Sequence, residues 1–149
     1  MKLSTKGRYG LKAVVELAVR HADGPVSLSL LATEQGVSEA YLEQLMRSLK
    51  AAELVSSTRG KTGGYTLSRA ADTISVGEVL NALEGSTAIA DCVTADGGPC
   101  SNACTCSARP LFLKLQNRID AVLNETTIQD LTDDHIEQKR RITHAQNLS

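Results

Sequence analysis

Apolar residues in this chain recur mainly at helical spacing, and one short region alternates as strands do. Leu11, Val14, Val15 and Ala18 mark an amphipathic helix over roughly residues 5–20. His21-Ala-Asp-Gly-Pro25 ends it in a turn. Ser27 is placed to cap a short second helix carrying Leu28, Leu31 and Ala32. Ala32, Gly36 and Ser38 then supply a close-packing residue, a tight turn and the cap of the next helix, the pattern a helix-turn-helix requires. The helix predicted over residues 39–50 is sharply two-sided. Leu42, Leu45, Met46 and Leu49 form its buried stripe, and Ala40, Gln44 and Arg47 point away, flanked by Tyr41, Glu43 and Ser48.

Strands are predicted at residues 54–58 and 65–67, around the loop Arg59-Gly60-Lys61-Thr62-Gly63-Gly64. Ser75 and Glu78 make a capping box for a helix with Val76, Val79, Leu80 and Leu83 on one face, stopped by Gly85. Further on, Ser107 is placed to cap a helix that tolerates Pro110 in its first turn. Leu111, Leu115, Ile119 and Val122 line one face of that helix, widened by Phe112 and Leu113. So broad a stripe needs a partner, and the same helix of a second copy makes a two-fold homodimer. Thr126 to Leu131 reads as one more short helical turn, and residues 132–149 as a polar, disordered tail.

The fold class this predicts is mainly α with a small β-wing: a winged helix-turn-helix domain plus a long dimerisation helix. Residues 1–85 would be the DNA-binding domain, 86–107 a cysteine-rich loop, 108–131 the dimerisation helix and short turn, and 132–149 the tail.

Charge sharpens the picture once it is divided. The net charge of −1 over 149 residues suggests nothing. Residues 1–70, however, carry ten Lys/Arg against six Asp/Glu, and residues 71–149 carry six against eleven. A basic front and an acidic back suggest a polyanion-binding module joined to something else. Small and hydrogen-bonding side chains around Arg47 suit a major groove, where Arg reads guanine and Gln reads adenine. Ser38, Ala40, Tyr41, Glu43, Gln44 and Arg47 are therefore candidate contacts to double-stranded DNA. Arg59, Gly60 and Lys61 at the wing tip would meet its backbone or minor groove, while Lys6 and Arg8 near the chain start would either meet phosphates or form a solvated face. Gly60-Lys61-Thr62 is not the end of a phosphate-binding P-loop, because that motif needs glycine where this chain has Val55. His21, His135 and His144 are scattered and no nucleophile accompanies them, so no enzyme is expected.

All four cysteines, Cys92, Cys100, Cys104 and Cys106, fall within fifteen residues around Gly97, Gly98 and Pro99. Free thiols, a disulfide pair and a metal or iron–sulfur centre compete for them. No signal peptide or membrane span is evident, so a reducing cytoplasm is expected, where disulfides are rare. Spacings of eight, four and two match no common zinc pattern, and thiolate-rich irregular loops suit iron–sulfur clusters at least as well. Cys106 would lie at a helix start, which favours a thiolate. Cys104, two residues earlier, would face the same way along an extended segment.

Three motifs bring a family into view: Leu3-Ser-Thr-Lys-Gly-Arg-Tyr9, Ser38-Glu-Ala-Tyr-Leu-Glu-Gln-Leu45, and Arg59-Gly60 with Gly63-Gly64-Tyr65. With them, the chain to about residue 131 resembles the small bacterial winged-helix regulators that include IscR, NsrR and CymR. The resemblance implies a dimeric transcription regulator, a repressor by this reading, on a partly palindromic operator. In cluster-binding members three cysteines hold an iron–sulfur cluster, and the corresponding residues here are Cys92, Cys100 and Cys106. The favoured form is 2Fe-2S, with 4Fe-4S as the alternative, and iron–sulfur assembly machinery would be a partner. The interval from Cys92 to Cys100 is two residues longer than the family pattern, and Cys104 is extra. Where IscR-like proteins have a ligating histidine this chain has Arg109, and where NsrR-like proteins have an aspartate it has Arg8. Cys104, or a carboxylate or histidine from the other subunit, would then complete the site. The alternative is a CymR-like regulator controlled by a partner protein or metabolite, its cysteines holding zinc or nothing.

Overall fold

Hydroxyl caps set where the helices begin. In the computed structural model, which describes residues 3–97 and 100–148, Ser4, Ser27, Ser38, Ser75 and Thr127 each accept a hydrogen bond from the backbone N–H three residues on. These caps open α1 (Thr5–Val19), α2 (Leu28–Gln35), α3 (Glu39–Ala51), α4 (Val76–Glu84) and α6 (Ile128–Asn147). Each such cap stabilises its helix by about 1 kcal/mol. The Ser75 box is reciprocal: Glu78 Oε2 accepts from the Ser75 N–H at 2.9 Å. That backbone bond foremost, and then the Arg69 guanidinium, hold the Glu78 carboxyl below the usual carboxylate range.

The turn between α2 and α3 is made by Gly36, whose φ of 65° an L side chain rarely adopts. Strands β1 (Val55–Thr58) and β2 (Gly64–Leu67) pair antiparallel, with Val55 opposite Leu67 and Thr58 opposite Gly64. Val26 joins the ribbon by exchanging two backbone hydrogen bonds with Tyr65, at 2.9 and 2.8 Å. Val14, Leu17, Leu31, Leu42, Met46, Leu49, Val55, Ile74, Val79, Leu80 and Ile128 form one buried core. Among the described residues, six α-helices and a two-stranded antiparallel sheet make the mainly α winged fold expected.

Two boundaries differ from expectation. α5 runs Arg109–Glu125 and begins after Ala108, without a side-chain cap, so Ser107 does not cap it. The larger correction concerns residues 132–149. Ile128 to Asn147 is a continuous helix of 20 residues, not a short turn followed by a disordered tail. Thr127 and Asp130 form a capping box at its start, and Ile128 and Thr132 are buried. Its first turns pack on α1, and two bonds strap it to α4: Val76 N–H to Thr126 O and Ile128 N–H to Ile74 O, both 2.9 Å. A helix seated by so narrow a stripe leaves its other faces polar, which made the sequence look like a tail. Among the described residues no helix is long and apolar enough to cross a membrane.

Candidate nucleic-acid interface and cysteine loop

The apolar stripe of α3 is wholly buried, so its opposite face must be outward. Ser38, Ala40, Glu43, Gln44, Arg47 and Ser48 are all exposed along it. Arg47 leans toward Glu43 at 3.7 Å, with its side chain 75% exposed. An exposed pair of this kind contributes little and is readily exchanged for another acceptor.

Tyr41 is the exception among the groove candidates. Four residues ahead of buried Leu45, it turns inward and packs edge-on against Tyr9, with ring centroids 6.3 Å apart. Its hydroxyl is buried without a hydrogen-bond partner among the described residues.

The wing tip is formed by Arg59, Gly60 and Lys61, all exposed, and closed by a bond from Gly63 N–H to Gly60 O of 3.0 Å. Lys50, which sequence reasoning did not single out, donates to Ser57 Oγ at 2.6 Å and ties the end of α3 to β1. Lys6 and Arg8 lie exposed in the first turn of α1. The exposed cations of α1, α3 and the wing thus belong to elements that share one core.

The cysteine loop connects α4 to α5. A 3-10 turn at Asp91–Val93 buries Val93 against α5, and Gln116 of α5, itself buried, accepts from Ile89 N–H at 2.8 Å. Gln116 also donates to Asp120 at 2.8 Å. Gly97 turns the chain with φ 59°, while Gly98 and Pro99 lie outside the described residues. From Cys100 the backbone is a run of turns: Ala103 N–H to Cys100 O at 3.1 Å, and Cys106 N–H to Asn102 O at 2.9 Å. The segment is therefore not extended, so the strand alternation on which the expected shared facing of Cys104 and Cys106 rested is absent. Cys106 lies three residues ahead of α5, and its carbonyl accepts from the Arg109 N–H at 3.4 Å.

All four thiols are free. Cys92, Cys100 and Cys106 are half-buried and Cys104 is exposed. Among the described residues no three His, Cys, Asp or Glu side chains converge closely enough to hold a metal ion. The donor chemistry nonetheless fits a thiolate-ligated centre, since soft sulfur ligands select iron–sulfur clusters or zinc. One further observation fits an anionic group nearby: Arg109 Nε, at the loop's end, is buried without a hydrogen-bond partner among the described residues.

Comparison with known proteins agrees with this architecture. The sequence profile of the Rrf2 family, described as iron-dependent transcriptional regulators, matches residues 3–134. The chain is 41% identical over 131 residues to the HTH-type transcriptional regulator CymR of Bacillus subtilis, covering 88% of this chain and 89% of that one. It is 39% identical over 131 residues to the regulator IscR of Erwinia tasmaniensis, covering 88% and 78%. Among solved structures, CymR of B. subtilis, the global cysteine regulator, superposes with a TM-score of 0.76 at 38% identity over 89% of this chain and 97% of that one. IscR of T. potens does so with a TM-score of 0.74 at 38% identity, over 91% and 88%.

Proposed function

Since the chain belongs to the Rrf2 family of iron-dependent transcriptional regulators, we propose that it binds operator DNA as a homodimer and represses transcription according to the state of its cysteine loop. As a transcriptional regulator it binds DNA and is not an enzyme. In this reading Gln44 and Arg47 meet base edges in the major groove, with Ser38, Ala40 and Glu43 beside them. Arg59, Gly60, Lys61, Lys6 and Arg8 meet the phosphate backbone. The dimer forms through α5, whose Leu111, Leu115 and Val122 are 56, 44 and 61% exposed in the single chain, with Ile119 half-buried among them. A two-fold dimer presents two copies of α3 and so calls for a partly palindromic operator.

The observation that carries the sensory part is the division of the thiols. Cys92, Cys100 and Cys106, half-buried where Cys104 is exposed, would hold an iron–sulfur cluster, in the 2Fe-2S form. Such a cluster supplies a centre whose occupancy follows iron supply and oxidants, delivered by assembly machinery in the cytoplasm. The chain's own residues supply the coupling, since Gln116 fastens the loop to α5 and α5 carries the dimer face. Arg109, a permanent cation, cannot ligate; its buried Nε is suited to donate to anionic sulfur instead.

A second reading has its own support. The thiols do not converge among the described residues, which favours a CymR-like regulator that answers to a partner protein or metabolite. Anaerobic purification, visible absorption and serine replacement at each cysteine separate the two. The cluster reading expects iron, sulfide and visible absorption that are lost in Cys92→Ser, Cys100→Ser and Cys106→Ser and kept in Cys104→Ser. Loss in Cys104→Ser as well would make the site all-cysteine. Colourless, iron-free wild-type protein would overturn the cluster reading in favour of the second.

A further inference from the structure

Glu84, the last residue of α4, reaches across to the start of α1. Its Oε1 accepts from the Ser4 N–H at 3.1 Å, the Ser4 hydroxyl at 2.6 Å and the Gly7 N–H at 3.1 Å. A carboxylate at this end of a helix answers the positive end of its dipole and satisfies amides that have no partner within the helix.

The sequence of α1 makes room for it. A Cβ at Gly7 would lie 2.3 Å from Glu84 Oε1, and a Cβ at Gly10 would lie 2.3 Å from Leu83 Cδ1. Two buried glycines inside a helix weaken it intrinsically, glycine being the poorest helix former after proline. Here they form the groove in which the final turn of α4 is seated.

That turn lies between the two functional halves. On one side Lys6 and Arg8 flank Gly7 and are exposed. On the other, Gly85 ends α4 with φ 78° and Ser86 opens the cysteine loop. Leu3, Glu84, Ser86, Thr87, Ala88, Ile119 and Leu123 line one small cavity of about 140 Å³, so the chain start, the loop's first residues and α5 meet around this carboxylate.

We propose that Glu84 is a positioning residue for DNA binding: it fixes the basic first turn of α1 and transmits to it any displacement of the cysteine loop. The proposal rests on the reading that Lys6 and Arg8 contact phosphates. The test uses the full chain and a duplex enriched by the wild-type protein from a random-sequence library, titrated across salt concentrations. Taking one cation away from its phosphate lowers the slope of log affinity against log salt by about 1. Glu84→Ala is expected to weaken binding about tenfold and lower the slope by up to about 2. Glu84→Gln, which keeps an acceptor oxygen, should recover most of both.

A double-mutant cycle adds the readout that a general loss of stability would not give. In a Lys6→Ala/Arg8→Ala background, Glu84→Ala should cost almost nothing further, because the groups it positions are gone. Full additivity, or an unchanged slope in a folded Glu84→Ala protein, overturns the proposal while leaving the DNA interface intact. If the Lys6→Ala/Arg8→Ala protein itself binds like the wild type, the phosphate reading of α1 fails and the proposal falls with it.

Discussion

Leu115→Glu is expected to turn the proposed dimer into monomers. Leu115 lies between Leu111 and Ile119 on the outward stripe of α5 and is 44% exposed in the single chain. In a two-fold seam the substitution introduces two carboxylates near the axis, each desolvated and without a partner. An uncompensated buried charge costs about 3–5 kcal/mol, enough to weaken association by roughly a hundredfold or more. Because the side chain is substantially exposed in the single chain, the monomer itself should stay folded. Sedimentation equilibrium together with circular dichroism reads both halves of this expectation. A folded dimer that persists at the same concentration would place the seam on another face. Loss of helix content would mean that the stripe packs within one chain.

Arg47→Ala carries the second large effect. Its only ion-pair neighbour among the described residues, Glu43, lies on the same exposed face, so in the proposed interface Arg47 can exchange it for a guanine edge. Its removal should cost about 1–3 kcal/mol and relax base preference at one operator position per half-site. Arg59→Ala, at the wing tip, should behave differently, weakening all duplexes nearly equally and lowering the salt dependence. A salt-controlled titration against the selected duplex and single-base variants distinguishes the two patterns. Unchanged affinity in both variants would remove α3 and the wing from the interface.

What could be read from the sequence divides along the range of the interactions concerned. Ser27, Ser38 and Ser75 act on amides three residues away, so their helices were legible from local spelling. The stripe of Leu42, Leu45, Met46 and Leu49 likewise fixes by period alone which face of α3 is outward. Tyr41 marks the limit of that rule, since it lies at the margin of the stripe and the ring of Tyr9, a residue of another helix, decides its direction. α6 was hidden for a related reason. Ile128 and Leu131 are seated by tertiary packing in the common core, and nothing near residue 140 announces it.

The site divides in the same way. Exposure of Gln44, Arg47, Arg59 and Lys61 follows from their elements, whereas Glu84 depends on a contact 80 residues apart in sequence. Gly7 and Gly10, conspicuous inside an otherwise helical pattern, were the available signal for it. The cysteines were conspicuous as a group, but a loop of successive turns carries no periodicity from which their directions could be read.

In the proposed function the state of the cysteine loop governs DNA affinity. The most direct test measures the Kd for one selected duplex, at fixed salt and anaerobically, for the protein as purified, for the same protein after chelation and oxidation remove iron, and for Cys92→Ser. Coupling between a sensory site and a binding surface commonly amounts to about 1–3 kcal/mol. The as-purified protein should therefore differ from the iron-free protein by about 5- to 150-fold, with Cys92→Ser matching the iron-free value. Equal affinities in all three preparations would contradict the account and leave the loop without control over the operator.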